Sequence, residues 1–229
     1  MSTSTRKPAP RRQDRGEEIL DYLYDGRNAK IRAACRRIIK GASHGLAIYE
    51  ELITIDAAAR LKGVRTLPHA DFLNFQGLLW MMQLELASLL DDYIRTRDER
   101  RWLYARLLLL SLYESTKTLR SVFSRGYRRD LLVRLGSANE RRINTLHGYI
   151  HHAFEDLNAD YGDIRDHLLG HRDPDASRRW QALSSLNGLE IKDFAWEVLE
   201  WCAAIVMLNN DYLAAIDTLN LNARPLPQS

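Results

Sequence analysis

Apolar side chains recur every three or four residues over long stretches of this chain, and this spacing constrains its fold more than any other feature. The clearest stretch runs from Phe194 to Leu219, where the apolar positions keep to one helical face. Only 6 Pro and 12 Gly occur among 229 residues, so few positions interrupt such helices. We find no credible pair of strands. The sequence therefore predicts an all-α bundle of long antiparallel helices.

Composition divides the chain into four regions. Residues 1–15 are rich in Pro, Ser and Arg, which predicts a disordered basic tail, although such a tail can also contact an RNA backbone. Residues 16–68 are expected to form additional N-terminal helices that Gly26 punctuates. Residues 69–221 are expected to form the helical bundle, and residues 222–229 a flexible C-terminal tail.

Capping signals set the predicted helix ends around the middle of the chain. Ser137 and Glu140 form a capping box that opens one helix. Gly162 suits the position just past the end of that helix. Asp163 then caps a new short helix with Arg165 in its first turn.

Charge, cysteine usage and hydropathy exclude several classes of protein. The net charge of +3 does not by itself indicate nucleic-acid binding. Cys35 and Cys202 form no CxxC pair, so we expect reduced core residues in a cytoplasmic protein. No apolar signal segment follows the first residues. The most apolar run, Trp102 to Tyr113, is interrupted by Arg106 and is too short to span a bilayer.

The segment Tyr161–Asp173, YGDIRDHLLGHRD, carries the strongest chemical signal. Arg165 offers a permanent charge and a planar fork of donors that suits a phosphate. His171 can donate or accept a proton near neutral pH, and Asp166 can orient either group. These are the groups that RNA cleavage needs without a metal, when the 2′-hydroxyl attacks its own phosphate.

The spacing of these residues leaves their geometry open. Residues six apart do not share a helix face, so Arg165 and His171 converge only if the helix ends or bends near Gly170, or if a second subunit completes the site. The alternative is structural: Arg165 and Asp166 form a surface ion pair, and His171 is a residue favoured at a helix C-terminus.

The sequence IRDHLLGHRD resembles the signature of the HEPN superfamily, in which Arg and a polar Asn or Asp precede a His. It is most similar to the abortive-infection branch of the AbiU type, where the motif reads Arg-Asp-Lys-x-x-Ala-His. His167 stands here in the Lys position and Gly170 in the Ala position. The Arg, the Asp and the His keep their spacing.

This resemblance implies an all-α bundle of four or five helices and a homodimer whose paired motifs meet at the interface. It implies a metal-independent ribonuclease with no cofactor, acting as a toxin or phage-defence effector in the cytoplasm. Arg165 would bind the scissile phosphate, His171 would act as acid and base, and Asp166 would fix the pair, with His167 assisting. The implied partners are RNA, a second copy of the chain and an antitoxin such as a small nucleotidyltransferase.

Further histidines suggest a different chemistry. His147 and His151 are four residues apart on one helix face, Glu155 continues that stripe, and His167 and His171 repeat the spacing. Two such pairs on neighbouring helices match the metal sites that helical bundles build, although neither HExxH nor a repeated ExxH occurs. The alternatives are a polar helix face, or a cleft that His147 or His151 shares with Arg165.

Glu114 lies in a strongly apolar helix and therefore needs a partner. Pairing with Arg106 or Lys117 as a surface feature is the preferred interpretation, and Arg165 is a more distant candidate. Besides the ribonuclease, two functions stay open: a non-catalytic helical module for dimerisation or partner binding, and a metal-dependent helical-bundle enzyme.

Overall fold

The computed structural model describes residues 14–62, 70–97, 100–165 and 188–222. A 3-10 turn, Ser137–Asn139, precedes the fifth of the described helices, and no strand occurs within these ranges. The prediction of an all-α fold is therefore confirmed. The described helices are α1 (Asp14–Leu61), α2 (Ala70–Arg95), α3 (Arg100–Val122), α4 (Arg125–Leu135), α5 (Glu140–Arg165) and α6 (Gly188–Asn222).

Helices α1 and α2 form a long antiparallel pair. Near one end the Arg32 guanidinium lies 2.9 Å from the Asp91 carboxylate. Near the other end the Tyr49 hydroxyl donates a hydrogen bond of 2.9 Å to the side chain of Asn74. Because the two contacts pair early residues of one helix with late residues of the other, the helices run in opposite directions.

Helix α2 lies at the centre of the fold, where it packs against α1, α3 and α6. Tyr212, late in α6, stacks on Phe72 at the start of α2 with ring centroids 3.9 Å apart. Lys192, early in α6, donates a hydrogen bond to Asn28 of α1. One turn earlier in α1, Asp25 contacts Arg97, which lies just beyond the end of α2. Helix α6 therefore runs antiparallel to α2.

Two glycines allow α1 and α2 to approach closely. A Cβ atom on Gly45 of α1 would come within 2.8 Å of the Trp80 indole nitrogen of α2. A Cβ atom on Gly77 of α2 would come within 2.8 Å of the Tyr49 ring of α1. In each case a glycine on one helix leaves space for an aromatic ring of the other, and this packing fixes the register of the two helices.

A single hydrophobic core joins all six described helices. Ile31 and Cys35 of α1 belong to this core, together with Cys202 of α6. The expectation that both cysteines are buried core residues is confirmed, and burial raises the pKa of each thiol to about 12. The remaining core side chains come mainly from α2, α3, α5 and α6, among them Phe75, Leu79, Leu86, Leu90, Leu108, Leu112, Leu119, Ile143, Ile150, Val198, Ile205 and Leu208.

Two predicted helix breaks are wrong. Helix α1 continues through Gly26, and α5 continues through Gly162. Glycine inside a helix costs only about 0.5–1 kcal/mol relative to alanine, so the tertiary contacts of neighbouring residues outweigh it. The helix start predicted near Ser137 is confirmed, although a 3-10 turn replaces its first turn. The basic tail up to residue 13, residues 166–187 and the tail from residue 223 lie outside the described residues.

The close approach of α1 and α2 predicts opposite effects of one substitution at two positions. Gly45→Ala should lower the free energy of unfolding by about 1–3 kcal/mol, because the new methyl group overlaps the Trp80 ring. Gly41→Ala should raise it by about 0.5–1 kcal/mol, because nothing lies within 4 Å and alanine favours the helix. Urea denaturation measures both. Equal effects of the two substitutions would contradict the close approach of α1 and α2 at Gly45.

Candidate functional site

The predicted catalytic motif begins at the end of α5. Arg165 is the last residue of this helix, whereas Asp166, His167 and His171 lie outside the described residues. Because α5 passes through Gly162 and Asp163 without interruption, Arg165 does not lie in the first turn of a new helix. The phosphate-binding helix start predicted at Asp163 is therefore wrong.

Contacts between helices fix where this end of α5 lies. The Tyr161 hydroxyl donates a 3.2 Å hydrogen bond to Glu190 in the first turn of α6. Two residues further along α6, the buried Lys192 donates to Asn28 of α1 at 3.2 Å. The last turns of α5, the first turns of α6 and residues 25–32 of α1 therefore meet at one end of the bundle, which we call the motif end.

An arginine-rich cleft of about 510 Å³ opens at the motif end between α1, the end of α2 and the start of α3. Its arginines are engaged with protein groups: Arg32 with Asp91 at 2.9 Å, Arg95 with Asp92 at 2.7 Å and Arg97 with Asp25 at 3.5 Å, while Arg101 lies over the Tyr93 ring at 4.7 Å. These contacts balance much of the positive charge. The cleft is best described as an ion-pair network that joins three helices.

A second polar surface lies where α3 packs against α5, within electrostatic range of Arg128 on α4. We call this surface, together with Arg125 and Arg128 of α4, the α3–α5 seam. On its first half the Arg120 guanidinium lies 4.8 Å from the centre of the Phe154 ring and 4.0 Å from the Glu155 carboxylate. Tyr113 packs against the same Phe154 ring at 5.6 Å. Arg101, near the start of α3, lines the cleft at the motif end, and α5 finishes at the same end, so the two helices are antiparallel.

The second half of the α3–α5 seam carries two histidines of α5, one of which is within electrostatic range of an arginine of α4. His151 Nε2 lies 3.2 Å from the Glu155 carboxylate. One turn earlier, the His147 ring is almost parallel to that of His151, with centroids 6.2 Å apart. Arg128 of α4 is close enough to act electrostatically on His147, and Arg125 acts on Arg128 in the same way.

Burial and positive charge shift the titration of this half of the seam. Burial lowers the pKa of Arg128, and Arg125 lowers it further. The pKa of His147 is lowered by burial first, then by Arg128 and by His151. His147 is therefore neutral at pH 7 and can both donate and accept a hydrogen bond. The Nε–H of Arg128 is buried and has no hydrogen-bond partner among the described residues.

The structure settles several sequence expectations. His147, His151 and Glu155 do follow one face of α5. Glu114 forms the predicted surface pair with Lys117, at 3.9 Å with both side chains exposed. Among the described residues no three His, Cys, Asp or Glu side chains gather as metal ligands would. His167 and His171, half of the predicted metal set, lie outside these residues.

The helical rise limits what His147 and His151 can share with Arg165. Along α5 the backbone of Arg165 lies about 21 Å from that of His151 and about 27 Å from that of His147. One phosphodiester does not span such a distance. Within one chain, the seam histidines and Arg165 therefore do not contact the same phosphate group.

Sequence reasoning singled out the seam histidines but not their arginines. Arg128 lies in a basic segment that the sequence marks only as short and charged, and Arg120 is one of many arginines on helical surfaces. Their positions depend on how α3, α4 and α5 pack together, and the chain shows no local signal for this.

No protein-family model, curated protein or solved structure matches this chain. In the part of the chain that the structure describes, no helix is both long and apolar enough to cross a membrane.

The lowered pKa of His147 predicts a specific pH dependence of stability. The unfolded chain takes up a proton at this residue near pH 6.5, before the folded protein does, so stability falls as the pH drops through that value. His147→Gln removes this contribution. The variant should lose less of its free energy of unfolding between pH 7.5 and pH 5 than the unmodified protein does. Urea denaturation at the two pH values tests this, and equal losses would contradict it.

Proposed function

We propose that this protein is a metal-independent endoribonuclease of the HEPN type. The observation that carries the proposal is the spacing of Arg165, Asp166 and His171, which is that of the superfamily signature. The chemistry of these groups supports it, because a guanidinium and an imidazole supply what phosphodiester cleavage needs. An all-α fold is consistent with it.

The proposed reaction transfers protons without a net change in the enzyme. A base removes the proton of the 2′-hydroxyl, the 2′-oxygen attacks the adjacent phosphorus, and the bond to the 5′-oxygen breaks as that oxygen gains a proton. Arg165 holds the phosphate and stabilises the charge that develops on it. His171 acts as acid or base, Asp166 orients the pair and His167 assists. The products are a 2′,3′-cyclic phosphate and a 5′-hydroxyl.

An exposed apolar stripe on α3 supports the homodimer that this proposal includes. Leu103 and Leu107 are exposed on successive turns, and Trp102 beside them is 39% exposed. Because α3 and α5 are antiparallel, this stripe at the start of α3 lies towards the motif end of the bundle. A second copy that packed there would bring two motifs towards each other. The proposed setting is the cytoplasm, with an antitoxin such as a small nucleotidyltransferase holding the enzyme in check.

The same stripe favours a second candidate function. Contiguous apolar residues on a protein surface often mark a contact with another protein. A non-catalytic HEPN-like module would use the stripe for dimerisation or for binding a partner helix, and it would leave RNA intact.

Incubation of mixed RNA with the purified protein in excess EDTA tests the nuclease. We expect cleavage with cyclic-phosphate ends, and at least a 100-fold loss of rate in Arg165→Ala/His171→Ala, because general acid–base catalysis alone contributes on the order of 10²–10⁴-fold. Arg36→Ala/Arg37→Ala, which removes two exposed arginines from α1, serves as the matched control.

The other outcomes are equally informative. Cleavage that the motif variant retains would contradict the proposed site. Activity that appears only when a transition metal is added would favour a metal-dependent enzyme. An absence of cleavage under every condition, with a stable dimer in solution, would favour the non-catalytic module.

A further inference from the structure

We propose that the α3–α5 seam binds the sugar-phosphate backbone of single-stranded RNA, with Arg128 and Arg125 holding phosphate oxygens. The choice of RNA rests on the proposed function, whereas the binding of a phosphate-rich strand rests on the seam itself. Nothing in the HEPN-like motif assigns a role to these residues.

The strongest observation is the state of Arg128. Its Nε–H is buried and lacks a hydrogen-bond partner among the described residues, although a buried donor is normally satisfied. The neighbouring Arg125 is exposed and forms no ion pair with any described carboxylate. The arginines of the cleft at the motif end differ in this respect, since Arg97, for example, contacts Asp25. Arg128 as a whole is only half-buried, so a shift of its side chain towards solvent would let a phosphate supply the acceptor that its Nε–H lacks.

The neighbours of Arg128 suit a nucleotide strand. Burial and the charge of Arg128 lower the pKa of His147, which favours the neutral imidazole, so this ring can bond a ribose hydroxyl or a phosphate oxygen without repelling Arg128. Further along the seam, Arg120 lies above the Phe154 ring and is 42% exposed, with part of its charge balanced by Glu155 at 4.0 Å. Cations spaced along a groove with aromatic and imidazole rings are what proteins use to track single strands.

The length of α5 defines which part of the RNA the seam would bind. The backbone of His147 lies about 27 Å from that of Arg165, which corresponds to about eight nucleotides at 3.4 Å per step of a stacked strand. The seam would therefore contact nucleotides well away from the bond that is cut. It should strengthen the binding of long RNA and leave the cleavage of a dinucleotide unchanged.

Fluorescence anisotropy with a labelled single-stranded RNA of about 20 nucleotides tests this proposal. The full-length protein carries Arg165→Ala/His171→Ala and is kept in EDTA, so that the RNA stays intact. Adding Arg125→Ala/Arg128→Ala should raise the Kd at least tenfold. It should also reduce the slope of log K against log salt by about 1.4, since each neutralised phosphate on a single strand contributes about 0.7. Adding Arg36→Ala/Arg37→Ala instead removes the same charge from α1 and should change the Kd less than twofold.

Three results would overturn the proposal. The first is an equal loss of affinity in the two double-arginine variants, which would show that only net charge matters. The second is unchanged affinity when Arg125→Ala/Arg128→Ala is added. The third is binding to phosphatidylserine vesicles that the seam substitutions abolish while RNA binding persists, which would assign the surface to an anionic membrane.

Folding is monitored by thermal melting, and Arg125→Glu provides a second variant that leaves the half-buried Arg128 in place. This charge reversal at an exposed position should weaken RNA binding at least tenfold in a protein that melts normally. Normal melting with unchanged RNA binding would contradict the proposal that the seam binds RNA.

The proposed function and this inference fail in different ways. If the seam substitutions weaken RNA binding but the unmodified protein never cleaves RNA, the proposed nuclease activity is wrong and RNA binding at the seam is supported. The opposite result is that Arg165 and His171 prove necessary for cleavage while the seam substitutions change neither the binding nor the cleavage of long RNA. In that case the proposed RNA binding at the seam is wrong and the nuclease proposal is supported.

Discussion

The unbroken course of α5 is the constraint on which the functional geometry depends. This helix runs for 26 residues from Glu140 to Arg165, past a glycine that suits a helix end. A rigid helix of this length fixes the separation of its two ends at about 1.5 Å per residue. The helix therefore places the seam histidines on one part of the bundle and Arg165 on another, and the distance between them is fixed.

Tertiary contacts explain why the helix does not stop at Gly162. Tyr161 packs against the core and donates a hydrogen bond to Glu190 of α6, so the residue directly before the glycine is anchored. Contacts with α6 also outweigh the cost of Gly26 in α1. Arg27 lies 3.1 Å from Asp193 of α6, and Asn28 accepts a hydrogen bond from Lys192 of α6. Among the described residues, Gly45 and Gly77 are structurally required because an aromatic ring of the neighbouring helix occupies the space of a side chain. Gly136 is required for a different reason, since its φ of 77° is one that other residues rarely adopt.

The sequence predicts the helices of this protein better than their interfaces. Periodic apolar residues are a local property, so the all-α fold and the long last helix follow directly from Phe194 to Leu219. The pairing of Glu114 with Lys117 is equally local, because residues three apart on a helix are neighbours. By contrast, the contact of Arg120 with Phe154 joins residues that are distant in the chain, and its existence depends on the antiparallel packing of α3 and α5. The motif itself is a sequence observation, and its chemistry remains a proposal.

Photo-crosslinking of RNA to the intact protein tests the central claim most directly. A long single-stranded RNA that contains 4-thiouridine would be irradiated with the full-length protein in EDTA, and the crosslinked peptides identified by mass spectrometry. The account predicts crosslinks both in the segment that holds Arg165 and His171 and in those that hold Arg125, Arg128 and His147. Crosslinks confined to the basic first fifteen residues, or to the arginine cleft between α1 and α2, would contradict it.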